Sequence, residues 1–230
     1  MQLIIDGLPV SVIRKSIKNM HLRVLSPTGD VQITAPNRLP QASIERFVRE
    51  KRSWIARQQQ KIAARPTATS PDFLDGQTVY LWGRTYTLCL EPAVKKRQAF
   101  LRGQDIVLQI HPEDAAAQRE ALLNGFYRQT LSAQIAARLP VWEAGTGLHP
   151  AAWQIKNTKT RWGTCNTASR KIWLNLQLVK QPPICLDYVL VHELTHLRYP
   201  GHGPEFWAFV TRAFPDWKSV RRQLNENTFL

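Results

Sequence analysis

The fold is decided by the stretch Val189-Leu190-Val191-His192-Glu193-Leu194-Thr195-His196-Leu197, an HExxH pattern in an otherwise apolar run. Residues four apart lie on one face of a helix, so the imidazoles of His192 and His196 can reach a single ion, about 2.0–2.1 Å from each nitrogen. Glu193 is rotated by about 100° and lies beside the open coordination position. The pattern predicts a site for one Zn²⁺ ion, with Glu193 as the base that deprotonates an activated water.

A third protein ligand is usual for catalytic zinc, and the sequence offers two candidates. Pro200-Gly201 is predicted to break the helix, which lets the chain turn back and bring His202 to the metal. Glu205 is the alternative, although an acidic residue at the start of the next helix also suits the helix dipole. The break favours His202, and Glu205 stays open as a replacement.

The HExxH pattern lies in a region where helices and strands are mixed. Hydrophobic periodicity predicts a long helix, two strands separated by a loop over 161–166, and three C-terminal helices. These are, in order, Ala115–Leu139, Trp153–Asn157, Ile172–Leu176, Cys185–Tyr199, Pro204–Ala213 and a helix from about Asp216.

The N-terminal part of the chain is rich in predicted strands. Short apolar runs in residues 1–36 indicate an antiparallel meander, residues 41–62 a basic amphipathic helix, and residues 65–71 a polar loop. Further strands are predicted at Thr78–Trp82, Arg84–Leu90, Ala99–Leu101 and Asp105–Ile110, and no internal repeat is evident. The fold class is therefore α+β, with a β-rich, basic region over 1–110 followed by a catalytic domain over 111–230.

Composition narrows the classes of function. The chain has 230 residues and a hydrophobic fraction of 43%, which is typical of a globular protein. Its net charge of +14 favours either an anionic partner or a generally basic, soluble surface, and both alternatives stay open. Residues 1–65 carry 12 Lys+Arg against 4 Asp+Glu, a surplus of +8. No apolar run is long enough for a membrane helix, and the N-terminus does not read as a signal peptide. The three cysteines, Cys89, Cys165 and Cys185, do not suggest a disulfide framework, so a cytoplasmic location is expected.

Several blocks of the sequence resemble the YgjP-like metallopeptidase family. The most specific are Arg161-Trp162-Gly163-Thr164-Cys165 and His192-Glu193-Leu194-Thr195-His196-Leu197, and the similarity extends to Ile13-Arg14-Lys15-Ser16 and to Lys51-Arg52-Ser53-Trp54-Ile55. Thr164 stands where serine is commoner in that family. The resemblance implies a zincin-like C-terminal domain, related to SprT-like and WLM proteases, with three histidine ligands and a glutamate base.

In zincin-like folds a strand at the edge of the cleft pairs with an extended substrate, so Ile172–Leu176 is a candidate for that edge. Arg161, Asn166 and Asn175 would then face the cleft, where they could bind substrate or stabilise an oxyanion. The alternative is that Trp162 and Trp173 are core residues and that Arg161 forms a structural ion pair.

Three functions follow from these observations. The first is a zinc-dependent hydrolase, a metallopeptidase with a peptide substrate. The second is a metal-dependent phosphohydrolase of the pyrophosphatase type, whose basic N-terminal region would hold the phosphates of a nucleotide. The third is a nucleic-acid-associated binding protein with a vestigial metal site, against which the intact Glu193 argues. None of the three needs a membrane.

Overall fold

The structure is a computed structural model that describes residues 1–25, 28–63 and 72–226. Its contacts divide the chain into two units, Met1–Ser70 and Pro71–Leu230. The sequence predicted a division after residue 110 instead. The difference arises because the strands between residues 78 and 110 share one hydrophobic core with the C-terminal helices. The predicted loop over 65–71 lies outside the described residues.

The first unit is a four-stranded sheet followed by two helices. Its strand order is β1-β2-β4-β3, in which β2 and β4 are parallel, so the predicted antiparallel meander is wrong. The predicted single helix over 41–62 is interrupted at Lys51, whose N–H bonds to the carbonyls of both Phe47 and Val48. The elements are β1 Gln2–Ile5, β2 Leu8–Lys15, β3 His21–Val24, β4 Val31–Pro36, α1 Gln41–Glu50 and α2 Arg52–Ala63.

The second unit opens with a sheet that repeats this topology. Its strands are β5 Thr78–Leu81, β6 Arg84–Pro92, β7 Gln98–Arg102 and β8 Asp105–Ile110, in the order β5-β6-β8-β7, with β6 and β8 parallel. Both sheets begin with a two-residue hairpin whose turn residues have positive φ, Asp6-Gly7 and Trp82-Gly83. The sequence shows no internal repeat, but the two sheets have the same topology. The sequence did not indicate this repeat because strand order leaves little trace in side-chain identity.

A long helix, α3 Ala116–Thr146, follows this sheet. Its buried face carries Leu123, Tyr127, Leu131, Ile135 and Leu139, each four residues after the last. The sequence predicted an end at Leu139, but the helix continues through Pro140 to a left-handed Gly147.

A three-stranded sheet lies beside the C-terminal helices. It consists of β9 Ala152–Lys156, β10 Gly163–Asn166 and β11 Lys171–Asn175, in the order β10-β11-β9. The strand predicted to lie at the edge, Ile172–Leu176, corresponds to β11, which is the central strand of this sheet. The segment predicted as a loop over 161–166 contains β10, which is one of the two edge strands. A 3₁₀ helix, Leu176–Lys180, follows.

Three helices complete the unit: α4 Pro183–Thr195, α5 Pro204–Ala213 and α6 Trp217–Glu226. The middle one matches its predicted bounds. The apolar α4 is buried on most of its surface, as expected of a helix inside a core. No helix in the described part of the chain is long and apolar enough to cross a membrane. Sheets dominate the first half and helices the second, so the predicted α+β class is confirmed.

Candidate metal centre

Three histidines converge at the C-terminal end of α4. His192 lies in the last turn of the helix, His196 is its C-terminal cap, and His202 lies on the connector to α5. One ligand atom from each lies within 4.8 Å of the others, and the Nε2 atoms of His192 and His202 are 3.0 Å apart. Tetrahedral zinc with bonds of about 2.0–2.1 Å holds its ligand nitrogens about 3.3 Å apart. The cluster therefore has the dimensions of a three-nitrogen metal site.

The connector explains how His202 reaches the cluster. The helix α4 ends at Thr195, earlier than the predicted end at Tyr199. The N–H groups of Leu197 and Arg198 bond three residues back, and that of Tyr199 makes one last bond four residues back, to Thr195. A residue before proline avoids helical geometry, so Pro200 forces Tyr199 out of the helix. The carbonyl of Tyr199 then accepts a hydrogen bond from Nδ1 of His196 at 3.1 Å. This bond leaves the other ring nitrogen, Nε2, free as a ligand.

Aromatic side chains hold the three imidazoles in place. The buried ring of Phe206 on α5 contacts all three, with centroid distances of 5.0 Å to His192, 4.7 Å to His196 and 4.7 Å to His202. Trp207 stacks on the ring of His202 with centroids 5.5 Å apart. Such packing limits rotation of the rings, so little entropy is lost when an ion binds.

The protonation states also fit a metal. Burial, followed by the charges of His196 and His202, lowers the pKa of His192 to about 3. Burial also lowers the pKa of His196 and of His202. All three imidazoles are therefore neutral at pH 7, the form that donates a lone pair to a metal.

Glu193 lies under β10, where Gly163 covers its carboxylate. A Cβ atom added to Gly163 would lie 2.6 Å from Oε1 of Glu193, so any side chain at this position would displace the carboxylate. Glu193 is 4% exposed, and its Oε2 atom is buried without a hydrogen-bond partner among the described residues. Burial raises the pKa of Glu193 to about 8, against the opposing charge of Arg161. A buried carboxylate oxygen without a partner is suited to accept a hydrogen bond from water.

A cavity of about 460 Å³ opens over the cluster. It is bounded by α4, by the edge strand β10 and by α6, and β10 contributes Gly163, Thr164 and Cys165 to its wall. The helix α6 contributes Arg221, which the sequence analysis did not single out. No sequence pattern marks Arg221, because α6 reaches the cavity only through tertiary packing.

The predicted substrate-binding residues have different surroundings. Arg161 is exposed and lines the cavity. Asn166 does not line it, and its side chain accepts a hydrogen bond from the backbone N–H of Ser169 at 2.9 Å. Asn175 is 2% exposed, and its amide group donates to the carbonyls of Thr158 and Arg161. Neither Asn166 nor Asn175 lines this cavity, because local backbone groups occupy both side chains, and their role in substrate binding stays a prediction.

The alternative ligand Glu205 lies in the first turn of α5, exposed to solvent. It does not belong to the group of ligand atoms formed by the three histidines. The three cysteines are free, and only Cys165 lines the cavity.

An HExxH pattern on a helix, with a third histidine whose ring nitrogen lies beside those of the first two, is the arrangement of metal ligands found in metallopeptidases. A family model, the YgjP-like metallopeptidase domain, matches residues 18–227. The chain therefore belongs to the YgjP-like metallopeptidase family and is a hydrolase of the metallopeptidase type.

Two further comparisons accompany this match. Among solved structures, the metallopeptidase zymogen of Pyrococcus abyssi abylysin is similar, with 21% identity and a TM-score of 0.37 over 39% of this chain and 90% of that chain. A search of curated proteins finds no match.

Proposed function

We propose that the chain is a zinc-dependent metallopeptidase in which His192, His196 and His202 hold one Zn²⁺ ion and Glu193 is the general base. The proposal rests on the convergence of three neutral imidazoles beside a buried carboxylate. All three donors are nitrogens, which suit zinc better than magnesium or calcium. Three protein ligands leave the fourth position of a tetrahedral ion for water or substrate.

The reaction follows from what each group can do. A zinc ion held by the three histidines would supply Lewis acidity to a water molecule and to the scissile carbonyl. In its ionised form, which a bound divalent cation would favour against the effect of burial, Glu193 would take a proton from the attacking water through its unpartnered oxygen. It would return that proton to the leaving amine nitrogen as the C–N bond breaks. The wall formed by Gly163 keeps the carboxylate at one position between these two transfers.

The edge strand β10 is the proposed binding site for the peptide backbone. It pairs with β11 on one side only, and its residues line the cavity. An extended peptide can add to such an edge as a further strand, with hydrogen bonds that do not depend on its sequence. In this proposal β10 pairs with the extended substrate, the role that the sequence predicted for Ile172–Leu176.

A phosphohydrolase acting on a nucleotide is the second candidate. Two arginines at the cavity, Arg161 and Arg221, favour it because guanidinium groups bind phosphate well. A peptide is preferred because β10 offers backbone hydrogen bonds, which a nucleotide would leave unused.

The test compares zinc-loaded wild-type protein with Glu193→Gln on a casein-type peptide pool and on a nucleoside triphosphate panel. We expect peptide hydrolysis that falls by about 10²–10⁴-fold in the variant, because the general base is lost. Metal analysis should find one zinc per chain in both proteins. Full turnover by a zinc-loaded Glu193→Gln protein would refute the assignment of the base, and protein purified without chelator that contains no zinc would refute the metal site.

A further inference from the structure

The cavity over the three histidines is lined by more positive than negative side chains. Among its described lining residues, Arg161 and Arg221 are cationic and Glu193 is the one acidic residue. The three histidines line the same cavity. A divalent ion bound to them would add further positive charge. A concave site of one sign concentrates ligands of the opposite sign.

Arg221 lies over aromatic rings, and none of the described acidic residues pairs with it. Its guanidinium carbon lies 5.0 Å from the ring centroid of Trp207 and 6.0 Å from that of Trp217, and these two rings stack at 4.3 Å. In residues 72–226 its guanidinium makes no ion pair or hydrogen bond with a side chain. It lines the same cavity as His192 and His202. Stacking positions the plane of a guanidinium and leaves its N–H edge available.

Arg161 approaches the cavity from the side of β10. Its carbonyl accepts hydrogen bonds from Nδ2 of Asn175 at 2.7 Å and from Oγ1 of Thr158 at 3.1 Å, which fixes its backbone. Its side chain is exposed and forms no ion pair with any described residue. It lines the same cavity as Glu193. The structural ion pair considered for Arg161 is not observed.

We propose that Arg161 and Arg221 together bind a carboxylate side chain of the substrate, so that the enzyme selects peptides with an acidic residue close to the scissile bond. Guanidinium groups bind carboxylates through paired, charge-assisted hydrogen bonds. The groups come from two different elements, the segment before β10 and the helix α6, so an acidic side chain would be held between the two walls. This inference rests on the proposed peptidase function and adds a substrate class to it.

The experiment uses peptide pairs that are identical except for Glu or Gln at the positions around the scissile bond. Wild-type zinc protein is expected to favour the Glu form by about tenfold to a hundredfold in kcat/KM, the range for hydrogen bonds to a charged group. Arg221→Ala and Arg161→Ala should lose most of this preference, and Arg221→Lys should retain part of it. Arg212→Ala is the matched control, because Arg212 also lies over an aromatic ring, 5.1 Å from Phe209, but does not line the cavity.

Equal cleavage of the Glu and Gln forms by wild-type protein would overturn the inference. So would an equal loss on both forms in Arg221→Ala, which would indicate that Arg221 only supports Trp207. Hydrolysis of a nucleoside triphosphate with the same dependence on both arginines, without a peptide preference, would overturn the assignment to a carboxylate in favour of phosphate.

Binding to zinc-loaded Glu193→Gln protein separates this inference from the proposed function. If the Glu peptide binds more tightly than the Gln peptide, and wild-type protein cleaves neither, the peptidase proposal fails and the anion site stands. If both peptides bind equally while wild-type protein cleaves both equally, the peptidase proposal stands and the anion site fails.

Discussion

At the scale of single residues, the site depends on how closely the backbone approaches the proposed base. Gly163 is the residue at which β10 passes over Glu193, and among the described glycines it is the one where an added Cβ would meet the closest atom. The Glu193 carboxylate has little freedom to move, because it is buried between its own helix and β10.

Gly163→Ala tests this closeness. The added Cβ would lie 2.6 Å from Oε1 of Glu193, so the carboxylate must move. We expect kcat to fall by at least tenfold with a smaller change in KM, because a misplaced catalytic group weakens the transition state more than binding. Overpacking should also lower the free energy of unfolding by about 1–3 kcal/mol. Steady-state kinetics and urea denaturation measure the two effects.

The control for this prediction is Gly125→Ala in α3, where an added Cβ meets nothing within 4 Å. It should leave kcat unchanged and raise stability by up to about 1 kcal/mol, because alanine favours a helix. Unchanged activity in Gly163→Ala would show that the carboxylate does not need its observed position.

At the scale of elements, the connector between α4 and α5 decides which side chain completes the cluster. It leaves the helix at His196, is turned by Pro200 and enters α5 at Pro204. His202 therefore returns to the helix end, whereas Glu205 has already entered the next helix and points to solvent. The buried Phe206 fixes the start of α5 against the three imidazoles.

His202→Ala and Glu205→Gln distinguish the two candidate ligands. Loss of His202 should weaken zinc affinity by at least a hundredfold, because the ion would keep two protein ligands. Glu205→Gln should bind zinc as wild type does. Competition with a chromogenic chelator measures both affinities. The opposite pattern, with weak binding only in Glu205→Gln, would make Glu205 the ligand.

At the scale of the whole molecule, each unit has a hydrophobic core of its own. One core contains residues between Ile5 and Ile55, and the other contains residues between Phe73 and Leu224. Separate cores are the mark of separate domains. The proposed metal site belongs entirely to the second unit, so its stability depends on the contacts of that unit. One of these is the ion pair of Asp114 with Arg97, which ties the start of α3 to the segment before β7.

Acid stability of the second unit should depend on Asp114. Its side chain accepts from Nε of Arg97 at 2.7 Å and from the N–H of His111 at 2.9 Å, and the bond to Arg97 lowers its pKa to about 2. A carboxylate with a lowered pKa in the folded state stabilises the fold above its unfolded pKa of about 3.9 and loses that effect as the pH falls towards 2. Asp114→Asn should therefore be less stable than wild type at pH 7.

The difference in the free energy of unfolding between wild type and Asp114→Asn should narrow as the pH falls from about 4 to about 2. Urea denaturation at several pH values measures it, with Asp72→Asn as the control because Asp72 is exposed, lies outside the helices and has no ion pair among the described residues. A difference that stays constant over this range would mean that the Asp114 carboxylate is not linked to folding.

The sequence by itself determined what depends on short distances along the chain. The helical HExxH follows from a spacing of four residues, and the turn towards His202 follows from Pro200, since helix geometry and proline sterics act locally. Only the tertiary structure decided that β10 is the edge strand, that Gly163 covers Glu193 and that Arg221 reaches the cavity. Asn175 shows the same limit, because its polarity suggested a cleft residue until its hydrogen bonds to Thr158 and Arg161 were known. These features join residues distant in sequence, and strand order and helix packing leave no periodic signal in a single sequence.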